Sequence, residues 1–410
     1  MIESLRRDAD RIVAQSIARV LPDEAVHRAL AHHVFAPGRV VLVAVGKAAW
    51  QMARAAGDAL GTRLETGIVI TKYGHLGDPL SGMQLWEAGH PVPDGNTYRA
   101  TQAALRLVRG LTGRDEVLFL LSGGGSALFE SPLLPPGELE DLTGQLLRCG
   151  ADIVEINTLR KRWSGVKGGR FALACRPARV FGVVLSDIVG DPLDMIGSGP
   201  AAPDRSTCAQ ALAIAEKYGL RLSPLAARLL RQETPKVLDN VETVVTGSVR
   251  ELCRAAMDAC RARGYEPQLV TDSLTGEARL AGERLAALLR ARAGTGRRAF
   301  VMGGETVVHV TGDGLGGRNQ ELALAAAPGI AGLKAAVCSV GSDGTDGPTD
   351  AAGGYVDGDS AAALRARGLE AEDVLRRNDA YHALRAVDGL VFTGPTGTNV
   401  NDVAVGLLEG

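Results

Sequence analysis

None of the six cysteines in this 410-residue chain (Cys149, Cys175, Cys208, Cys253, Cys260 and Cys338) forms a CxxC pair. So few thiols in so long a chain argue for reduced, mostly buried side chains and a cytoplasmic location. No run of lysine or arginine stands out and the net charge is −2, which excludes nucleic acid as the main partner. No apolar stretch approaches the ~20 residues that cross a bilayer. The first residues, MIESLRRDADRIVAQ, carry charge throughout and lack the apolar segment of a signal peptide. Motif absences are as informative. There is no GxxxxGK[ST], no GxSxG, no HExxH and no EF-hand loop. The only adjacent histidines, His32 and His33, would point in different directions on a helix.

What is abundant is glycine, 52 residues, clustered after short runs of Val, Ile and Leu. Strand, glycine-rich loop, helix is the signature of open α/β sheets. Hydrophobic content of 46% and a length of 410 residues predict two domains, with a boundary at the polar, Pro235-containing stretch 231–241: 1–235 and 236–410. Strands are expected at 39–45, 66–71, 115–121 and 179–185, then near 241–245, 267–270, 298–302, 306–310 and 334–340. Helices are expected over 3–34, broken at Pro22, and near 249–263, 276–292, 319–327, 359–367 and 379–386. In such sheets ligands bind beyond the carboxyl ends of the strands, so chemistry is sought in the loops that follow them.

Gly46-Lys47 ends a strand and opens a helix, where anions gather. Ser122-Gly123-Gly124-Gly125-Ser126 lets the backbone approach a ligand closely and offers an N–H nest for phosphate, or else makes only a tight turn. Asn157–Arg170 packs Arg160, Lys161, Arg162, Lys167 and Arg170 together, and its Lys167-Gly168-Gly169-Arg170 turn is the most specific part. The loop holding Asp187, Asp191 and Asp194 suits Mg²⁺ held by one or two carboxylates, or a base for a substrate hydroxyl. Its bland reading is turn chemistry. Gly303-Gly304-Glu305-Thr306 precedes Gly312–Gly317, a formal GxGxxG, with Asp343 at the spacing of a ribose-binding acid. Arg318 points instead to an anion clamp, and Asn319 to a helix cap. Asp343, Asp346 and Asp350 share one glycine-rich loop, and Asn399 and Asn401 a polar turn. His90, in Gly89-His90-Pro91, reads as lining a pocket rather than as a catalytic group.

In order along the chain, VGKAAWQM, LSGGGSALFE, NTLRKRWSGVKGGR, VLSDIVGDPLDMIGSGP, GGETVVHV, GGRNQEL, GSDGTDGPTDAAGG and TGTNVND resemble the type II glycerate kinase family, whose C-terminal part is called MOFRL. The resemblance covers about residues 40–406. It implies two α/β/α, Rossmann-like domains with mostly parallel sheets around an interdomain active-site cleft. It also implies ATP and Mg²⁺ as cofactors and D-glycerate as substrate, with 2-phosphoglycerate the usual product. The family's essential lysine and arginine correspond to Lys47 and Arg318. Val307, Arg162 and Trp163 depart from the more usual residues. In the resulting expectation Lys47, Arg318, Asp187 and Asp191 are catalytic, with the two aspartates also holding Mg²⁺. Ser122, Gly123, Gly124, Gly125, Ser126, Lys167, Arg170, Glu305, Asn319, Asp343, Asp346, Asp350, Asn399 and Asn401 bind substrate or nucleotide. Partners are small molecules, with no nucleic acid and no membrane; a homodimer is the assembly considered. Two other readings compete: an NAD(P)H-dependent hydroxypyruvate reductase and a non-catalytic organic-acid-binding protein.

Overall fold

A computed structural model describes residues 1–410. The chain forms two compact units. The first comprises Ala25–Leu185 and Asp191–Thr246. The second comprises Met1–Glu24, Ser186–Gly190 and Gly247–Gly410.

Six strands build the sheet of the first unit: β1 (Val40–Val45), β2 (Leu64–Lys72), β3 (Met83–Ala88), β4 (Glu116–Leu121), β5 (Arg179–Leu185) and β6 (Val241–Gly247). Their order is β3-β2-β1-β4-β5-β6. Parallel pairing runs from β3 through to β5. This is the doubly wound order, whose direction of winding reverses between β1 and β4. VVLVAV and EVLFLL are buried along their whole length, as strands covered on both faces must be. The helix Ala49–Leu60 packs Met52, Ala53 and Ala56 onto Leu42, Ala44, Leu118 and Leu120. A satellite core of helices, with Leu142, Leu146, Leu159, Trp163 and Leu230, lies between β4 and β6 in sequence.

The second unit's sheet contains β7 (Glu266–Leu274), β8 (Arg298–Gly304), β9 (Ala335–Gly341), β10 (Gly353–Asp357), β11 (Leu390–Val391) and β12 (Asp402–Leu408), in the order β11-β10-β9-β12-β8-β7. This sheet is mixed. β7 and β8 are parallel, but β12 is antiparallel to both β8 and β9, and β10 is antiparallel to β9 and β11.

Besides the antiparallel pairs of the second sheet, the domain break, the opening helix and residues 306–310 differ from the sequence expectation. The break falls near residue 246 rather than 235, because 241–247 forms the edge strand of the first sheet. The opening helix, Glu3–Arg19, belongs to the second unit: Leu5, Ala9, Ile12, Val13 and Ile17 form a stripe buried with Leu252, Cys253 and Ala256 of the helix Val249–Arg261. Residues 306–310 form no strand. Val307 makes a single bridge to Glu277, and Val310 is exposed.

Candidate functional site

The reversal between β1 and β4 puts two loops side by side. Gly46 and Lys47 follow β1; Ser122–Ser126 follow β4. They are tied by Lys47 N–H donating to Gly123 O (2.8 Å), Ser122 N–H to Val45 O (2.9 Å) and Ala48 N–H to Ser122 Oγ (3.1 Å). Gly46 has φ +123°, and a Cβ there would stand 2.2 Å from Ser122 Oγ, so only glycine allows this approach. The Ser122 hydroxyl is therefore spent on holding the lysine loop. The Lys47 ammonium makes no hydrogen bond or ion pair within the protein.

Gly124 is left-handed, at φ +88°. The backbone N–H groups of Gly123, Gly124, Gly125 and Ser126 donate to no protein acceptor, whereas Ala127 and Leu128 donate back to Gly124 O. Successive unpaired amides in a turn of this kind make an anion-binding concavity. Lys72, His75 and His90 stand around it. His75 Nδ1–H donates to Lys47 O (3.1 Å). The His90 ring is pulled below the ordinary imidazole range by burial and then by Lys47, Lys72 and His75.

Behind the loop lies a fully buried cation. Lys167 Nζ donates to Ser126 O (2.9 Å) and Phe129 O (3.0 Å) and pairs with Glu130 at 3.5 Å. Arg160 Nη2 reaches the same Ser126 carbonyl (3.0 Å) and Glu130 (3.4 Å). Burial drags Lys167 down to about 8 against the attraction of Glu130. Lys167, expected to bind ligand, is fully buried and braces the nest from behind through the Ser126 and Phe129 carbonyls. Arg170, also expected to bind ligand, commits Nη1 to the Lys161 and Ser164 carbonyls. Ser126 Oγ meets Ser198 Oγ at 3.3 Å.

Asp191 adopts φ +51°, and one of its carboxylate oxygens is buried without a hydrogen-bond partner. Asp194 pairs with the buried Lys161 (3.1 Å), which also holds Asp204 (3.1 Å). Asp187 is half-buried and belongs to the second unit. No group of three or more His, Cys, Asp or Glu side chains converges as a metal cluster. Mg²⁺ needs less, one or two carboxylates with phosphate oxygens completing the shell. The orphaned oxygen of Asp191 is a hard donor of the right kind.

In the second unit, antiparallel pairing sets Asp402, the first residue of β12, between Gly304 and Gly341, the last residues of β8 and β9. Arg318 opens the helix Arg318–Ile330 and grips Asp402 with two bonds, Nε–Oδ2 2.6 Å and Nη2–Oδ1 3.1 Å, while Nη1 donates to Glu305 (2.7 Å). Burial works against the charge, but Asp402 and Glu305 hold Arg318 above the ordinary arginine value. Burial raises Asp402, and the guanidinium partly offsets it. Asp346 accepts from Asn319 N–H (3.1 Å) and Gln320 N–H (2.8 Å), capping this helix from a distant loop. Burial pushes its carboxyl up to about 6 despite those amides. Asn319 Oδ1 accepts from Ser339 Oγ (2.6 Å). Asp343 closes a local turn on Thr345 N–H (2.9 Å).

Asp350 stands apart. It accepts from Tyr381 OH (2.7 Å) in a cavity of about 390 Å³ lined also by Arg385, Asp388, Leu390 and Phe392. Asn401 is buried at φ +66° with its side-chain NH₂ unpaired, and Asn399 Oδ1 faces its N–H at 3.5 Å. The sequence reading missed Asp402 as the partner of Arg318, and it missed Lys72 and His75. Their position directly at or after a strand end was the available signal.

The glycines of the formal dinucleotide motif are occupied by the chain itself. Gly312 N–H donates to Asn378 Oδ1 (2.9 Å), Gly314 N–H to Arg377 O (2.9 Å), and Leu315 N–H to Asp379 Oδ1 (3.1 Å). β8 ends at Gly304, and no strand runs directly into Gly312. The motif lacks the strand–turn–helix setting in which it cradles a pyrophosphate.

Fold and site define an α/β protein whose doubly wound sheet gathers unpaired amides and an unpartnered lysine at its switch point. Residues 8–231 match a family described as "Domain of unknown function (DUF4147)", and residues 298–402 match the MOFRL family. The chain is 50% identical to a D-glycerate 2-kinase of Thermotoga maritima, covering 99% of both chains. It is 41% identical to a glycerate 2-kinase of Pyrococcus horikoshii, over 90% of this chain and 88% of the relative. A protein of Agrobacterium vitis named putative hydroxypyruvate reductase is 39% identical, over 89% of this chain and 98% of that one. The crystal structure of the Thermotoga maritima glycerate kinase superposes with a TM-score of 0.95, covering 99% of this chain and 100% of that one. The chain belongs to the type II glycerate kinase family. No helix is long and apolar enough to cross a membrane.

Proposed function

We propose that this chain transfers the terminal phosphoryl group of ATP to D-glycerate, giving 2-phosphoglycerate. One observation carries the reading: four unpaired backbone amides, Gly123 to Ser126, lie beside a lysine whose ammonium has no protein partner. Phosphoryl transfer asks for positioning and charge neutralisation rather than for a covalent intermediate. The amides bind phosphate oxygens. Lys47 neutralises the charge that spreads over the migrating group. Arg318 keeps two of the five guanidinium N–H groups after its three bonds to Asp402 and Glu305, and these take a substrate carboxylate or phosphate oxygen.

Asp191, through its orphaned carboxylate oxygen, would help hold Mg²⁺, which when bound neutralises phosphate charge. Within the second unit, Asn399, Asn401 and Asp343 offer further polar contacts to substrate or nucleotide. The cytoplasm is the setting we assign, in keeping with six free cysteines.

The test is phosphorus NMR of the products formed from ATP, Mg²⁺ and D-glycerate, run beside an absorbance assay with NADH and hydroxypyruvate. A 2-phosphoglycerate signal with no NADH oxidation is expected. Hydroxypyruvate-dependent NADH loss without phosphoglycerate would return the reductase reading, and glycerate binding without turnover the binding-protein reading.

A further inference from the structure

One side chain in the nest has no role in the reaction as derived so far. His90 follows β3, and its ring lies over the loop after β4. A Cβ built on Gly124 would stand 3.1 Å from His90 Cδ2, 3.2 Å from His90 Nε2 and 3.3 Å from Lys47 Cγ. The imidazole edge and the lysine stem therefore meet above the same glycine. No protein group hydrogen-bonds either ring nitrogen.

The groups acting on the ring are Lys47 from the loop after β1, Lys72 from the end of β2 and His75 from the turn beyond it. No carboxylate is among them. With burial they keep the ring neutral at neutral pH, so one nitrogen retains its lone pair. The Lys47 ammonium and the amides of Gly123 to Ser126 are all donors. Donors bind phosphate and carboxylate oxygens. A lone pair repels those oxygens and selects an O–H.

We propose that His90 is the hydroxyl-facing catalytic residue of this pocket, accepting a hydrogen bond from the acceptor alcohol and taking its proton during transfer. The proposal rests on the kinase reading above and names its general base. As the acceptor O–H bond breaks, the proton passes to a ring nitrogen of His90. The same oxygen forms the new bond to the γ-phosphorus. The bond from that phosphorus to the bridging oxygen breaks, and its electron pair leaves with ADP. The imidazolium then releases the proton to water. The substrate class that fits is an alcohol beside a carboxylate, with the anionic part on the donors and the hydroxyl on the imidazole.

The experiment compares wild type, His90→Asn and His90→Arg with ATP, Mg²⁺ and D-glycerate, as kcat and KM from about pH 5 to 9. Circular dichroism checks that each variant is folded. Wild-type kcat/KM should fall toward acid pH as the ring protonates. Both variants should lose about 100-fold in kcat with the KM for ATP nearly unchanged, and the acid limb should vanish in His90→Asn. Wild-type kcat in His90→Arg would make the residue a cationic phosphate contact and overturn the proposal. So would wild-type kcat with an intact acid limb in His90→Asn. Independently of any variant, the acid limb of the wild type should coincide with the His90 titration followed by NMR, and a mismatch would overturn it as well. An active wild type with unaffected variants defeats this proposal alone. An inactive wild type defeats the kinase reading and this proposal with it.

Discussion

Lys47 and Arg318 stand at matching places in the two units, each beside the start of a helix that follows a buried strand. Lys47 has no partner for its charge, whereas Arg318 is held by three bonds to two carboxylates. An unpaired cation on the surface of a pocket contributes little to folding and is available to a ligand. A clamped cation does both jobs, because removing it strands the partners it neutralised. The first unit thus offers uncommitted donors, and the second offers charges already balanced among themselves.

The sharpest way to break this contrast is Lys47→Ala. Turnover of D-glycerate should drop by about three orders of magnitude, while thermal unfolding stays within about 0.5 kcal/mol of wild type. A large loss of stability would mean that Lys47 has structural partners after all. Arg318→Ala should lose turnover and also about 2–4 kcal/mol of stability by denaturant titration, since buried Asp402 loses its counter-ion. If its stability matches that of Lys47→Ala, the distinction between the two sites is void.

Lys167 sharpens the comparison through pH. Its folded pKa, about 8, lies below the unfolded value of about 10.4. The unfolded chain therefore binds more protons between those values. Stability relative to Lys167→Met should rise as pH climbs from 8 to 10.4 and be lost as pH falls through about 8. Parallel stability curves for the two proteins across that window would exclude a buried, titrating lysine. The smallest effects are expected within the second unit's acids. Asp346→Ala removes a helix cap and should cost about 1–2 kcal/mol. Asp350→Ala frees only the Tyr381 hydroxyl and should leave turnover within about twofold.

The nest was legible because its residues are contiguous and follow an apolar run that can only be a buried strand. VVLVAV and EVLFLL read themselves, and so did the two helices parted at Pro22. β12, DVAVGLL, is equally apolar, yet it follows a polar turn with no helix after it and was not read as a strand. β3, MQLWEA, is half-buried at a sheet edge, and β10, GGYVD, is short and opens on two glycines. The Arg318–Asp402 pair joins residues 84 positions apart, a separation that spacing rules do not reach. Lys167 misled because the sequence Lys-Gly-Gly-Arg looks the same whether the lysine faces a phosphate or a carbonyl. Only burial separates the two.

The helix Glu3–Arg19 carries a consequence for biosynthesis. It leaves the ribosome long before Val249–Arg261, the helix that covers its apolar stripe. In the meantime Leu5, Ile12, Val13 and Ile17 are bare, and the intervening unit must acquire its own structure beside an unsheltered sticky segment. A chain released early, after residue 246, would keep that segment uncovered, which makes truncated products of this gene natural clients for chaperones or seeds for clumping.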